Sequence, residues 1–352
     1  MKLNQLVGIT SYGTYLPQFC LKAEEVEVAQ GKVSSGIPQS LGVIQKTVPD
    51  FDEDTATLSV ASAAQALDRA SAKTDQIGCL FIGSESHPYA VKPTGTVVTS
   101  ALGLPETMAL ADLQFACKAG TQSLQITAAY VAAGLIDQGL AIGADTAQSR
   151  PGDVLEFSAA AGAAAVILGR SKKDILATLQ ATVSVATDTP DFWRRPGQPY
   201  PEHAGRFTGE PAYFAHVLKA SQLLLEEVNL KPADIDFCVF HTPNAKFPQL
   251  AAKKLGFTKE QLAPSLVVKQ IGNTYAAASL LALAAVLDQA QANQKILVTS
   301  YGSGAGADSF LFETTAALPN KRKLWTGLVK DNIARLKPIS YQSYREKTDH
   351  GH

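Results

Sequence analysis

The side chain best suited to covalent chemistry is Cys117, in the stretch Asp112-Leu-Gln-Phe-Ala-Cys117-Lys-Ala-Gly-Thr121. A strand-like run precedes it, and small, uncharged residues fill 123–134. The pattern predicts a strand end, a sharp turn, and a helix that starts at the cysteine. A helix apolar on nearly all sides belongs in a core. Its first turn carries unpaired N–H groups and a partial positive charge. Such a position is expected to push a thiol toward thiolate, the nucleophilic form. An isolated cysteine reads equally well as a small core residue. The nucleophile reading therefore depends on other reactive groups converging on it.

Three candidates do. Glu85 follows the apolar run 77–83, the signature of a strand buried on both faces, and precedes Pro88. A carboxylate desolvated there would have a raised pKa and serve as general base; left in solvent, it is an ordinary loop acid. His241 ends the apolar run 237–240. It could polarise a carbonyl or trade protons, or be a satisfied structural histidine. Asn273, between Gly272 and Thr274, could donate an amide hydrogen bond to a developing oxyanion or form a turn.

Elements that would bring these four together repeat along the chain. Strands are expected at 7–15, 77–83, 110–115, 139–144 and 163–168, then at 175–187, 237–240, 296–301 and 309–314. Helices are expected at 52–70, 94–102 and after Cys117, then at 212–228, 247–255 and 276–290. Segment 32–50 reads as loop. Asp75-Gln-Ile-Gly-Cys-Leu-Phe-Ile-Gly-Ser-Glu85 corresponds to Asp234-Ile-Asp-Phe-Cys-Val-Phe-His241, and the turn at Cys117 corresponds to the turn at Asn273. Internal duplication explains both matches. The expected class is α/β with mostly parallel sheets, as two β-α-β halves (1–170 and 171–352) stacked in five α-β-α-β-α layers. The Ala-rich helices after Cys117 and Asn273 would form the middle layer. Ligands bind beyond carboxyl strand ends, where Glu85, Cys117, His241 and Asn273 all fall.

Composition narrows the function. Net charge is −1 over 352 residues, with Lys and Arg dispersed, so no nucleic-acid surface is expected. With 46% hydrophobic and 18% charged residues the chain should pack well. There is no signal-like N-terminus and no smooth apolar span, so the expectation is a cytoplasmic protein with no membrane contact. Cys20, Cys79, Cys117 and Cys238 lack CxxC spacing and clustered histidines, against a metal site or disulfide framework.

Six motifs carry a resemblance across 7–314. They are Gly83-Ser-Glu85-Ser-His-Pro-Tyr-Ala-Val-Lys-Pro-Thr94, Phe115-Ala-Cys117-Lys-Ala-Gly-Thr121, Gly143-Ala-Asp-Thr-Ala-Gln148, Thr189-Pro-Asp-Phe-Trp-Arg194, Phe240-His-Thr-Pro-Asn-Ala-Lys-Phe-Pro248 and Ile271-Gly-Asn-Thr-Tyr275. Together they resemble the archaeal-type 3-hydroxy-3-methylglutaryl-CoA synthases of the thiolase superfamily. The resemblance implies a thiolase-like fold and an acyltransferase of the mevalonate route to isoprenoids. Acetyl-CoA would acetylate Cys117, Glu85 would take a methyl proton, and the enolate would attack acetoacetyl-CoA held by His241 and Asn273. Water would then release the product. By matching position, Ser158, Arg206, Thr208, Lys246, Asn273 and Ser303 would contact substrate or CoA. No cofactor is implied beyond the CoA thioesters. A homodimer is implied, as is a complex with an acetoacetyl-CoA thiolase through a zinc-ribbon/OB bridging protein.

The chain departs from the family pattern at Thr242 (commonly Gln), Ala245 (commonly Gly) and near Leu250 (commonly Arg), and the last would weaken one CoA phosphate contact. Segment 188–210, rich in aromatics and Arg, is expected to wall the substrate tunnel. Glycines 302–306 lack a phosphate-loop ending and are expected to let backbone approach the acyl thioester. The basic tail Lys321-Arg-Lys323 is expected to be solvated, with a CoA- or partner-facing role as the alternative. Two other functions use the same residues: a ketoacyl synthase III-like enzyme, which needs no base at Glu85, and a non-catalytic acyl-CoA-binding scaffold for a thiolase.

Overall fold

Continuous apolar runs become strands covered on both faces, and the alternation of side chains sorts each strand between two cores. The computed structural model describes residues 5–70, 74–146 and 149–348. The first half contributes β1 (Gly8–Tyr15), β2 (Phe19–Lys22), β3 (Gln45–Val48), β4 (Ile77–Gly83), β5 (Ala109–Leu113), β6 (Gln138–Thr146) and β7 (Ala161–Gly169). The second contributes β8 (Ala177–Thr189), β9 (Phe192–Trp193), β10 (Glu202–His203), β11 (Phe237–Phe240), β12 (Lys295–Thr299), β13 (Gly304–Thr314) and β14 (Lys337–Pro338).

Two half-sheets follow one plan. Their orders are β5-β4-β6-β7-β1 and β11-β12-β13-β8, joined into one nine-stranded sheet where β1 meets β8. That junction is brief, Gly8 against Thr178 and Ile9 against Ala177. Thus β1, β4, β6 and β7 correspond to β8, β11, β12 and β13. Among the described residues β5 has no counterpart; the chain before Asn273 makes a short helix, Val268–Ile271, instead.

The layers are visible in the packing. On β7, Ala164, Val166 and Leu168 enter a central core, while Ala163, Ala165 and Ile167 face an outer one. On β13, Phe310 and Phe312 point centrally and Leu311 outward. The helices Ala119–Ala132 and Ala278–Leu287 touch each other between the half-sheets, and every residue of the second is buried. Helix Thr55–Ala70 covers the first half-sheet from outside and Phe214–Val228 covers the second.

Three expectations need correction. The sheet is mixed, not mostly parallel. Only β4–β5, β4–β6 and β11–β12 are parallel, while β1–β7, β6–β7, β12–β13, β8–β13 and β1–β8 are antiparallel. Parallel pairing needs a crossover, and no α-helix lies between β6 and β7 or between β12 and β13 among the described residues. Segment 32–50 is not all loop; it holds helix Ile37–Leu41 and strand β3. The basic tail is docked at Arg322 and, through an ion pair with Asp174, at Lys321, while Lys323 is exposed as expected. Arg322 donates to the carbonyls of Leu287 and Ala290 (2.7 and 2.6 Å), closing the last turn of the central helix Ala278–Leu287. A cation at that end also meets the negative pole of the helix. Beyond it, helix Tyr341–Thr348 packs beside β2 and β3, in a small core that includes Leu21, Val48, Phe157 and Tyr344. No helix among the described residues is long and apolar enough to cross a membrane.

Candidate active site

Cys117 sits in a tight turn between β5 and the first central helix. Ala116 occupies the left-handed region (φ 44°), a conformation that costs a non-glycine residue about 1 kcal/mol or more. The helix proper begins at Ala119, after Lys118. The thiol donates to Glu85 Oε1 at 3.1 Å. Glu85 leaves the end of β4 with its backbone N–H bound to Asp145 Oδ1 (2.8 Å), and its carbonyl accepts from Arg194 (3.3 Å). Burial raises the Glu85 carboxyl to about 8, with the negative Asp145 adding to the rise; the thiol hydrogen bond and Arg194 oppose it.

The thiolate expected from the helix terminus is not what the surroundings favour. Burial and the neighbouring Glu85 carboxylate push the Cys117 thiol well above its ordinary value. Desolvation penalises the anion more than a helix end two residues away can repay. The two groups are hydrogen-bonded, so the protonation of each depends on the other. Attack by sulfur is therefore coupled to proton transfer onto the carboxylate.

His241 continues β11. Its N–H bonds the Thr299 carbonyl (2.9 Å), and its own carbonyl accepts from Tyr213 (2.7 Å). Its Nδ1 is buried with no hydrogen-bond partner among the described residues. Burial lowers the imidazole to about 3, so the ring is neutral at physiological pH. A buried polar atom without a partner calls for one, and a ligand group would supply it. Tyr301, whose ring is 6.4 Å from that of His241, hydrogen-bonds Asp191.

Asn273 and Ser158 are held together by backbone. Asn273 N–H donates to the Ser158 carbonyl (2.7 Å) and Ala160 N–H to the Asn273 carbonyl (3.0 Å). The Asn273 side-chain oxygen accepts from Tyr275 N–H (3.0 Å). It is thus a turn-former, and its NH2 group remains the available donor. Gly272 is indispensable here. Its φ is 77° with ψ −171°, and a Cβ would lie 2.7 Å from the Ser158 carbonyl oxygen. Cys117, Ala159, Tyr275 and Phe192 form one small cluster, which connects this pair to the nucleophile.

An open cleft of about 300 Å³ reaches Glu85, bordered by Phe192, Trp193, Arg194, Pro201 and Ser303. The aromatic segment thus walls an entrance, as expected of 188–210. Lys246 is exposed at the start of helix Lys246–Leu255. Thr208 donates to the Asp191 carbonyl (3.1 Å). Arg206 lies in the turn Gly205–Thr208; its side chain, and Ala147 and Gln148 of the third motif, lie outside the described residues. Thr242 is buried and Leu250 exposed. The glycine loop packs on the nucleophile turn itself: a Cβ on Gly302 would lie 2.4 Å from the Phe115 carbonyl oxygen.

Sequence reasoning gave no role to Asp145. Its fully buried carboxylate accepts from Ser84 Oγ, Ser86 Oγ and the N–H groups of Glu85, Ser86 and Ala276 (2.7–3.1 Å). It ties the Glu85 loop to the second half. Lys118 was also missed. Its buried ammonium pairs with Asp308 (3.0 Å) and lies over the Phe115 ring, clamping the nucleophile turn to β13. Nothing nearby in sequence marks either partner, since both contacts cross the molecule. Among the described residues no His, Cys, Asp and Glu cluster could hold a metal.

A family model described as "3-Oxoacyl-[acyl-carrier-protein (ACP)] synthase III C terminal" matches residues 225–314. The solved structure "MvaS in complex with 3-hydroxy-3-methylglutaryl coenzyme A" superposes with a TM-score of 0.89 at 23% identity, over 98% of this chain and 92% of that one. A 3-oxoacyl-(acyl carrier protein) synthase III from Pseudomonas aeruginosa gives 0.81 at 21%, over 88% and 99%. These fix the fold as thiolase-like. Hydroxymethylglutaryl-CoA synthases of Archaeoglobus fulgidus and Methanocaldococcus jannaschii are 51% and 52% identical, each over 96% of this chain and 97% of the relative. With identity of that level along almost its whole length, the chain belongs to the hydroxymethylglutaryl-CoA synthase family.

Proposed function

We propose that this synthase family member condenses acetyl-CoA with acetoacetyl-CoA through an acetyl thioester on Cys117, with Glu85 moving the protons. The observation that carries the reading is the 3.1 Å contact between thiol and carboxylate. As sulfur attacks the acetyl carbonyl, the thiol proton passes to Glu85 and on to the departing CoA thiolate. Glu85 then takes a methyl proton from acetyl-Cys117. The enolate carbon bonds to C3 of acetoacetyl-CoA, and its carbonyl oxygen takes the proton from Glu85 and becomes a hydroxyl. Water cleaves the Cys117 thioester, giving a free carboxylate and restoring the thiol. Neutral His241 and the Asn273 amide suit the carbonyl of the second substrate. Ser158, Arg206, Thr208, Lys246 and Ser303 are assigned to substrate or CoA.

The synthase III match over 225–314 favours a second reading, decarboxylative condensation. Such chemistry makes its own carbanion and leaves Glu85 without a task. We further assign a homodimer; the sheet ends in β5 and in β11, each with one edge unpaired by any described strand. The thiolase and bridging-protein complex stays part of the proposal, as does a cytoplasmic setting.

The test is free-CoA release from acetyl-CoA with and without acetoacetyl-CoA, alongside mass spectrometry of Cys117. Expected are an acetyl adduct with acetyl-CoA alone and turnover only with both substrates. No adduct would overturn the nucleophile; turnover with malonyl thioesters only would give the second reading.

A further inference from the structure

The C-terminal helix lies outside the site, yet its side chains reach the segment that carries Ser158. Tyr341 donates to Glu156 Oε1 at 2.8 Å. Tyr344 packs in one core with Phe157. Its hydroxyl is 3.1 Å from the Lys46 ammonium, which also lies 4.2 Å from its ring centroid. Lys46, itself 1% exposed, donates to the Glu156 carbonyl at 2.6 Å. Residues 156 and 157, immediately before Ser158, are therefore held from three directions.

The same lysine touches the other side of the pair. The Cβ position of Gly272 is 2.8 Å from Lys46 Cβ. The next residue, Thr47, donates to the carbonyls of Ile271 (3.1 Å) and Ala161. Strand β3 thus bonds both chains that carry the Ser158–Asn273 pair, and the C-terminal helix bonds β3. Burying a lysine is costly unless its donors are engaged, and here they are spent on positioning.

We propose that helix Tyr341–Thr348 is a latch that positions Ser158 and Asn273 for the second substrate, acting through Lys46. The proposal rests on the assignment of Asn273 to the acetoacetyl-CoA carbonyl. Lys46 and Tyr344 are positioning residues; neither touches the cleft at Glu85. The first half-reaction runs at Cys117 and Glu85, which the latch reaches indirectly through Ala159 and Tyr275, so it should suffer less. The second depends on the latch directly, because a misplacement of about 1 Å can cost about 100-fold.

The test separates the two half-reactions in the full chain. Cys117 acetylation by acetyl-CoA is followed by rapid-quench mass spectrometry, and kcat/KM for acetoacetyl-CoA by CoA release. The variants are Lys46→Met, Tyr344→Phe, which keeps the packed ring, and Asn273→Ala. Expected are acetylation within about twofold of wild type and kcat/KM for acetoacetyl-CoA lowered about tenfold or more by Lys46→Met, and less by Tyr344→Phe. Equal losses in both half-reactions would show general loosening and overturn the latch. Unchanged kinetics in both latch variants, with Asn273→Ala impaired, would overturn the latch alone. An unimpaired Asn273→Ala would overturn the assignment of Asn273, and the latch with it.

Discussion

Replacing Glu85 with Gln should make the protein more stable at alkaline pH while removing condensation. The folded carboxyl is raised from an ordinary 4.5 to about 8 by burial and by Asp145. An acid raised on folding contributes its stability below the unfolded value and loses it as pH climbs through the folded one. Between pH 4.5 and 8 the unfolded chain binds fewer protons at this site, so stability falls with rising pH. The full displacement corresponds to about 5 kcal/mol at 1.36 per tenfold. Glu85 borders an open cleft, and screening by solvent there reduces the penalty to about 2 kcal/mol. Gln keeps the shape and hydrogen bonding of the side chain and has no charge to desolvate. Thermal unfolding of both proteins at pH 5, 7 and 9 measures the effect. The advantage of Glu85→Gln should grow by about 2 kcal/mol from pH 5 to 9, and condensation should fall by about 10³-fold, with an acetyl adduct at Cys117 still detectable. A stability difference that is flat or shrinks with pH would refute the desolvated-base argument, and retained condensation would refute the base itself.

Three further outcomes follow from the same geometry. Asp145→Asn removes a negative neighbour that raises Glu85, so the pH at which condensation gains its base should move down; a pH–rate profile on the acetylated enzyme measures it. Gly272→Ala should cost about 2–4 kcal/mol in denaturant unfolding, since φ is 77° and the added carbon would lie 2.7 Å from the Ser158 carbonyl oxygen. His241 is neutral down to about pH 3. Its loss in His241→Ala should lower the acetoacetyl-CoA step about 100-fold or more while adding and removing no inflection between pH 5 and 9.

How much of this was legible in the chain differs from residue to residue. Cys117 and His241 could be placed because each ends an apolar run, and strand period with strand length is a local property. The burial of helix Ala278–Leu287 was legible from its composition, since residues apolar on all sides have no solvent face. The resemblance also came from local strings, whose order survives in one dimension. Asp145 was invisible as a site residue because its five donors come from residues 84–86 and 276. Arg322 was misjudged because Lys and Arg read as solvated until a helix end needing donors is found beside them, as Leu287 and Ala290 are here.

The amino-acid order by itself determined the nine strands of the large sheet, the buried helices and the repeat that faces one half with the other, and it pointed to a thiol, an acid and an imidazole. Only the tertiary structure decided their protonation. The sequence pointed to a helix terminus and a thiolate. The folded chain surrounds the sulfur with a carboxylate at 3.1 Å and little water. Charge state depends on dielectric and on neighbours distant in sequence, and both exist only once the chain has closed around them.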